Sequence, residues 1–97
     1  GVEGIVLMTY YPKSEPSYWL YTMKVDKRDA FIKMMADNGV MASELHKRND
    51  LHTIFHESKV HLTQVDAFEK SWVHIPCGWW VTKEDREKIV SVIKKGW

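Results

Sequence analysis

Trp72-Val73-His74-Ile75-Pro76-Cys77-Gly78-Trp79-Trp80-Val81-Thr82-Lys83-Glu84-Asp85 is the stretch whose reading decides the fold. Trp72 to Ile75 is short, bulky and β-prone, and Pro76 closes it because proline has no N–H for a further ladder bond. After the junction, the Thr82 hydroxyl can accept from a free amide of a first helical turn. Glu84 and Asp85 in that turn favour its positive end. Ile89, Val90 and Ile93 recur at helical spacing as an inner face, Lys94 and Lys95 suit the negative end, and Gly96 stops the helix.

Working outward, Ile5 to Tyr10 reads as a first strand, followed by a polar turn over Pro12-Lys13-Ser14-Glu15-Pro16-Ser17. Tyr18 to Val25 is a second strand, with Trp19, Tyr21, Met23 and Val25 on one face and Leu20, Thr22 and Lys24 on the other. Asp26 is placed to cap a helix and Asp29 to complete a box with it. Ala30, Phe31, Met34 and Met35 form that helix's buried stripe, and Gly39 after Asn38 ends it. Val40 to Glu44 reads as a short third strand, which makes Trp72–Ile75 the fourth. Between them, Asn49 or Asp50 can cap a turn carrying Leu51, Ile54 and Phe55. Thr63 with Asp66 starts a short helix with Val65 and Phe68 as its apolar contacts. The expectation is one α+β domain over residues 1–97, a two-layer sandwich with helices packed on a sheet of about three to four strands and a βαβ unit early in the chain.

Composition removes several function classes. Fourteen basic residues against 13 acidic leave a net charge of +1, which gives no electrostatic footprint for nucleic acid or an anionic membrane. No apolar run approaches the roughly 20 residues of a membrane span. The lone Cys77 precludes an internal disulfide and fits a reducing compartment, so a cytoplasmic location is expected. Five tryptophans in so short a chain suggest a partner surface, since large aromatics populate interfaces as well as cores. The start at Gly1, without a methionine, suggests a processed, tagged or truncated origin.

Self-contained catalytic chemistry is not evident. His52 and His56 stand four apart and could share a helical face, but the metalloprotease pattern needs glutamate directly after the first histidine, where Thr53 stands. Cys77 and His74 are near in sequence, yet reactive pairs are defined in space, and Pro76 to Trp80 reads better as a buried junction. The five glycines make neither GxGxxG nor GxxxxGK[ST]. Lys47, Arg48 and the nearby histidines could attract an anion or could simply be solvated.

Order and spacing carry a resemblance. His46-Lys47-Arg48-Asn49-Asp50-Leu51-His52-Thr53-Ile54-Phe55 resembles a segment of the C-terminal domain of the DegT/StrS nucleotide-sugar aminotransferases. So do Asp66-Ala67-Phe68-Glu69 and the stretch from His74 to Asp85, as does the upstream order of strand, Asp26-x-Arg28-Asp29 helix start and Asn38-Gly39-Val40. The resemblance spans nearly the whole chain. Many members carry an aromatic residue and a proline where this sequence has Lys47 and Arg48, a departure that points to a distinct subgroup.

The resemblance implies the small domain of a dimeric enzyme that uses pyridoxal phosphate to move an amino group from an amino acid to a nucleotide-linked keto-sugar. The activated lysine that holds the cofactor would belong to a larger domain absent from this chain. On that basis the chain has no catalytic residue or cofactor site of its own and is inactive alone. It would pair with that larger domain, with the nucleotide-sugar and with a second subunit. His46, Arg48, Asn49, Asp50 and His52 map onto the substrate-side wall. Arg48 would meet phosphate or hydroxyl oxygens through its planar fork, and His46 and Asn49 would bond sugar hydroxyls. The alternatives are that Asn49 and Asp50 only cap a turn while the histidines face water, and that the chain is a free-standing interaction module derived from such a domain.

Overall fold

The computed structural model describes residues 1–97. Three antiparallel strands lie in the order β1 (Ile5–Leu7), β2 (Tyr21–Val25) and β3 (Trp72–Ile75). Ile5 pairs with Val25, Met23 with Val73 and Thr22 with His74. Side chains alternate across a strand, so this register puts Met23, Val25 and Val73 on one face and Thr22, Lys24, Trp72 and His74 on the other.

The first face holds the core. Helix α1 (Arg28–Asp37) buries Phe31 and Met35 there, and α3 (Lys83–Ile93) buries Ile89, Val92 and Ile93. Trp97 closes the end, its ring edge-on to Phe31 at 4.9 Å and its indole N–H donating to the Asp26 carbonyl at 2.6 Å. A side chain on Gly4 (φ 78) would press to 3.2 Å from that indole, so the chain needs glycine there for both conformation and space. The short helix α2 (Thr63–Glu69) lies at the second face, where Phe68 stacks on Trp72 at 5.8 Å. The α+β class and the helix-on-sheet layering are those expected from the sequence.

Several local expectations are corrected. The first strand ends at Leu7 and the second begins at Tyr21, so Trp19 lies outside the sheet and is 72% exposed. Val40–Glu44 is extended but touches the sheet only through a bridge from Ser43 to His74. Because that bridge is antiparallel to β3, the segment runs parallel to β2 with β3 between them. The early βαβ unit is therefore split by a strand arriving from later in the chain. Lys27, with φ 48, stands at the head of α1 in place of Asp26, whose N–H is already given to the Gly4 carbonyl. Ala30 is exposed, and in α3 Val92 takes the inward position expected of Val90. Neither Asn49, Asp50 nor Thr63 caps a helix: Arg48 and Leu62 hold those positions without a side-chain bond. Thr82 and Asp85 do form a reciprocal capping box, and Gly39 and Gly96 take positive φ after their helices.

Candidate functional site

Two segments in 3-10 geometry, the single turn Asn49–Leu51 and the two-turn Thr53–Ser58, form the exposed loop that carries the candidate residues. Arg48 anchors it. Its Nε and Nη2 donate to the two Asp50 oxygens at 2.9 and 2.7 Å, and its Nη1 reaches Glu69 at 3.1 Å and also Asp66. The Arg48 and Asp50 side chains are only 12% and 13% exposed, so this fork is sheltered. These bonds, with Asp50 first, raise the Arg48 pKa further, and Arg48 holds the Asp50 carboxyl below its ordinary value. Arg28 adds a second clamp, joining Glu44 at 2.5 Å and the Glu69 carbonyl. One guanidinium thus answers three carboxylates. A phosphate approaching Arg48 would meet acidic oxygens where the sequence suggested a free planar fork. In this geometry Arg48 and Asp50 fix the loop, while His46, Asn49 and His52 are exposed.

His46 leans on the second face of the sheet. Its ring is nearly parallel to Trp72 at 6.4 Å and tilted against Trp19 at 5.6 Å. Beneath it lies His74, 6% exposed, with Nδ1 bonded to the Thr22 hydroxyl at 2.9 Å and Nε2 buried without a partner. Burial, with a smaller contribution from His46, lowers the His74 pKa and so favours the neutral ring. Reasoning from sequence missed the group formed by Trp19, Thr22, Trp72 and His74. The available signal was the alternation of Trp72 and His74 against Val73, which marks a second occupied face.

The other sequence candidates do not come together. The Cys77 thiol donates to the Tyr18 carbonyl at 3.0 Å, while His74 is bonded to Thr22, so they form no nucleophile–base pair. His52 and His56 are both exposed. In 3-10 geometry residues three apart eclipse and residues four apart diverge, so the face a regular helix would give them is lost. No group of three or more His, Cys, Asp or Glu side chains gathers as metal ligands. No helix is long and apolar enough to cross a membrane.

No protein-family model and no curated protein matches the chain. Solved structures do. Sugar aminotransferase CalS13 from Micromonospora echinospora superposes over 100% of this chain with a TM-score of 0.95 and 36% identity. AtS13 from Actinomadura melliaura does so with a TM-score of 0.95 and 38% identity. S. venezuelae DesV, solved in complex with a ketimine intermediate, shares the fold at a TM-score of 0.88 and 15% identity over 98% of the chain. The chain spans about a quarter of those proteins, 26% of the first two and 27% of the third. Over its whole length, at identity above a third, this chain is similar to one small α+β domain of the solved sugar aminotransferases.

Proposed function

We propose that this chain is the C-terminal domain of a DegT/StrS-type enzyme that transfers an amino group from an amino acid to a nucleotide-linked keto-sugar, and that it forms the substrate-side wall of that enzyme's pocket. The observation that carries the reading is the full-length likeness to CalS13 and AtS13, at 36% and 38% identity. His46, Asn49 and His52 are the exposed polar groups of the wall, and Arg48 and Asp50 hold them at its edge. The partners are the larger domain, a second subunit and the nucleotide-sugar, in the cytoplasm.

Pyridoxal phosphate would supply the electron sink for amino transfer in the complete enzyme. It needs a lysine desolvated in a pocket and a carboxylate for its ring nitrogen. All eleven lysines of this chain are exposed, so the residues present do not build that site. On this reading the chain alone is inactive. Titrating it with pyridoxal phosphate and recording the visible spectrum tests this: no stoichiometric band of a lysine-bound cofactor is expected. A saturable band at one equivalent would place the cofactor site here and overturn the proposal.

A further inference from the structure

The sheet has two edges, and they end differently. Beyond β3, the Ser43 N–H donates to the His74 carbonyl at 3.1 Å and accepts from the His74 N–H at 2.9 Å, so the chain covers that edge itself. The outer edge of β1 is open. There the Asp26 N–H donates to the Gly4 carbonyl, and the bonds of an antiparallel ladder fall on alternate residues. With Val6 opposite Lys24, Gly4 and Val6 therefore face β2, while Ile5, Leu7 and Thr9 turn their backbone groups outward. The Ile5 N–H is taken by the Val2 carbonyl at 3.2 Å, and outside the ladder no backbone bond engages residues 6–10. The open groups are the Ile5 carbonyl and the N–H and carbonyl of Leu7 and Thr9.

Open edges are normally guarded by lysine, proline or a covering segment. This one has no such guard. Ile5-Val6-Leu7-Met8-Thr9-Tyr10-Tyr11 holds no charged residue and no proline. Its apolar side chains reach solvent, Val6 at 62% exposure and Leu7 at 56%. The sequence reads as strand to Tyr10, whereas the sheet takes it only to Leu7, so the remainder of a β-prone run is left without a partner strand. A run that is β-prone, apolar and uncharged pairs readily with a copy of itself.

We propose that the outer edge of β1 docks the same edge of a second copy of this chain, antiparallel and with Leu7 opposite Leu7. In that register each Leu7 N–H donates to the Leu7 carbonyl of the other copy, and each Thr9 N–H donates to the other copy's Ile5 carbonyl. The pairing makes no demand on the Ile5 N–H, which Val2 already satisfies. Charge favours the same arrangement. The first charged residues beyond the run are Glu3 and Lys13, so antiparallel copies bring unlike charges together at each end, where parallel copies would set like beside like. The contact is small, so the dimer belongs to the weak, concentration-dependent class. The inference concerns this edge alone and stands whether or not the amino-transfer reading does.

The test follows the 97-residue chain over a range of concentrations, by sedimentation for mass and by amide hydrogen exchange for the edge. Mass is expected to rise from monomer towards dimer, and the Leu7 and Thr9 amides to exchange several-fold more slowly as it does. Leu7→Pro removes an N–H that the β1–β2 ladder does not use, and proline is tolerated at such edge positions. That chain, checked as folded by near-ultraviolet dichroism, should stay monomeric. Thr9→Pro lies beyond the regular strand and should lower the dimer fraction, which keeps the test decisive if Leu7→Pro does not fold. Leu7→Val keeps the N–H and should dimerise like the parent. A chain that is monomeric at every concentration overturns the proposal. So does association that leaves the Leu7 and Thr9 amides unprotected, since the contact then lies elsewhere. Folded proline chains that dimerise like the parent, or a Leu7→Val chain that does not dimerise, would also overturn it. None of these results bears on the cofactor titration, so one reading can fail while the other survives.

Discussion

The two sides of the sheet are built on different terms. Under α1 and α3, Phe31, Met35 and Val73 are fully buried and Met23 and Val25 nearly so, in one contiguous cluster. Across the sheet the loop leaves Leu51, Ile54 and Phe55 42%, 83% and 45% exposed, and it is held by ion pairs instead of a core. The difference teaches that the buried apolar core is concentrated on one face. A small domain can fold from one face alone and keep the other unfinished for a neighbour. That is what the proposed place beside a larger domain requires.

The largest effect expected from this contrast is on the core side. Phe31 is 0% exposed and supports Trp97, so Phe31→Ala removes both ring burial and an edge-to-face pair. Such truncations cost about 3–5 kcal/mol, enough to unfold much of a domain this small. Urea unfolding followed by far-ultraviolet dichroism should show the midpoint collapse. A Phe31→Ala chain as stable as its parent would break the claim that this face carries the fold.

Acid should sharpen the comparison from the other side. His74 is depressed by burial, so in the unfolded chain it takes up a proton that the folded chain refuses. Its contribution is present above the unfolded value near 6.5 and is lost as pH falls below it. Asp50 and Asp85 are also depressed, Asp50 by Arg48 and Asp85 by the Thr82 amide and hydroxyl. Their contributions persist to lower pH and fade only as it falls below about 3.9. Thermal midpoints across pH should therefore decline in two stages, and His74→Phe should remove the upper one. A single acid transition near 4 in the parent chain would contradict this.

A smaller loss is expected at the start of α3. Thr82→Ala removes the hydroxyl that accepts from the Asp85 N–H at 3.1 Å and donates to the Asp85 carboxylate at 2.9 Å. Caps of this kind are worth about 1 kcal/mol. The change should appear in urea midpoints without altering the loop's imidazole spectrum, because α3 lies on the other face.

What was legible in the sequence follows the same division. Thr82, Gly39 and Gly96 were readable because caps and stops are decided within one turn of chain. Trp72–Ile75 was readable because Pro76 ends it locally. The failures are those that distant partners decide. Val40–Glu44 has strand composition, yet it forms only one bridge because its available neighbour, β3, arrives some thirty residues later. Arg48 read as free because nothing in its spacing announces Asp66 and Glu69. Asp26 read as a cap because its bond to Gly4 is a tertiary event. His74 was considered only beside Cys77, since its true neighbours, Thr22 and His46, are brought in by the sheet and the loop.

The smallest expected effect makes the most pointed test. Ile54→Ser alters an aliphatic side chain that is 83% exposed in the loop. Surface changes away from caps and cores usually stay within about 0.5 kcal/mol, so urea midpoints of the isolated chain should hardly move. Exposed apolar groups do favour association, so sedimentation at high concentration should show the Ile54→Ser chain less self-associated than its parent. A substantial destabilisation would mean that Ile54 is covered by this chain itself, and the loop would then be part of the core. Near-neutrality in isolation, set against collapse at Phe31, is the pattern of a surface whose burial depends on another body.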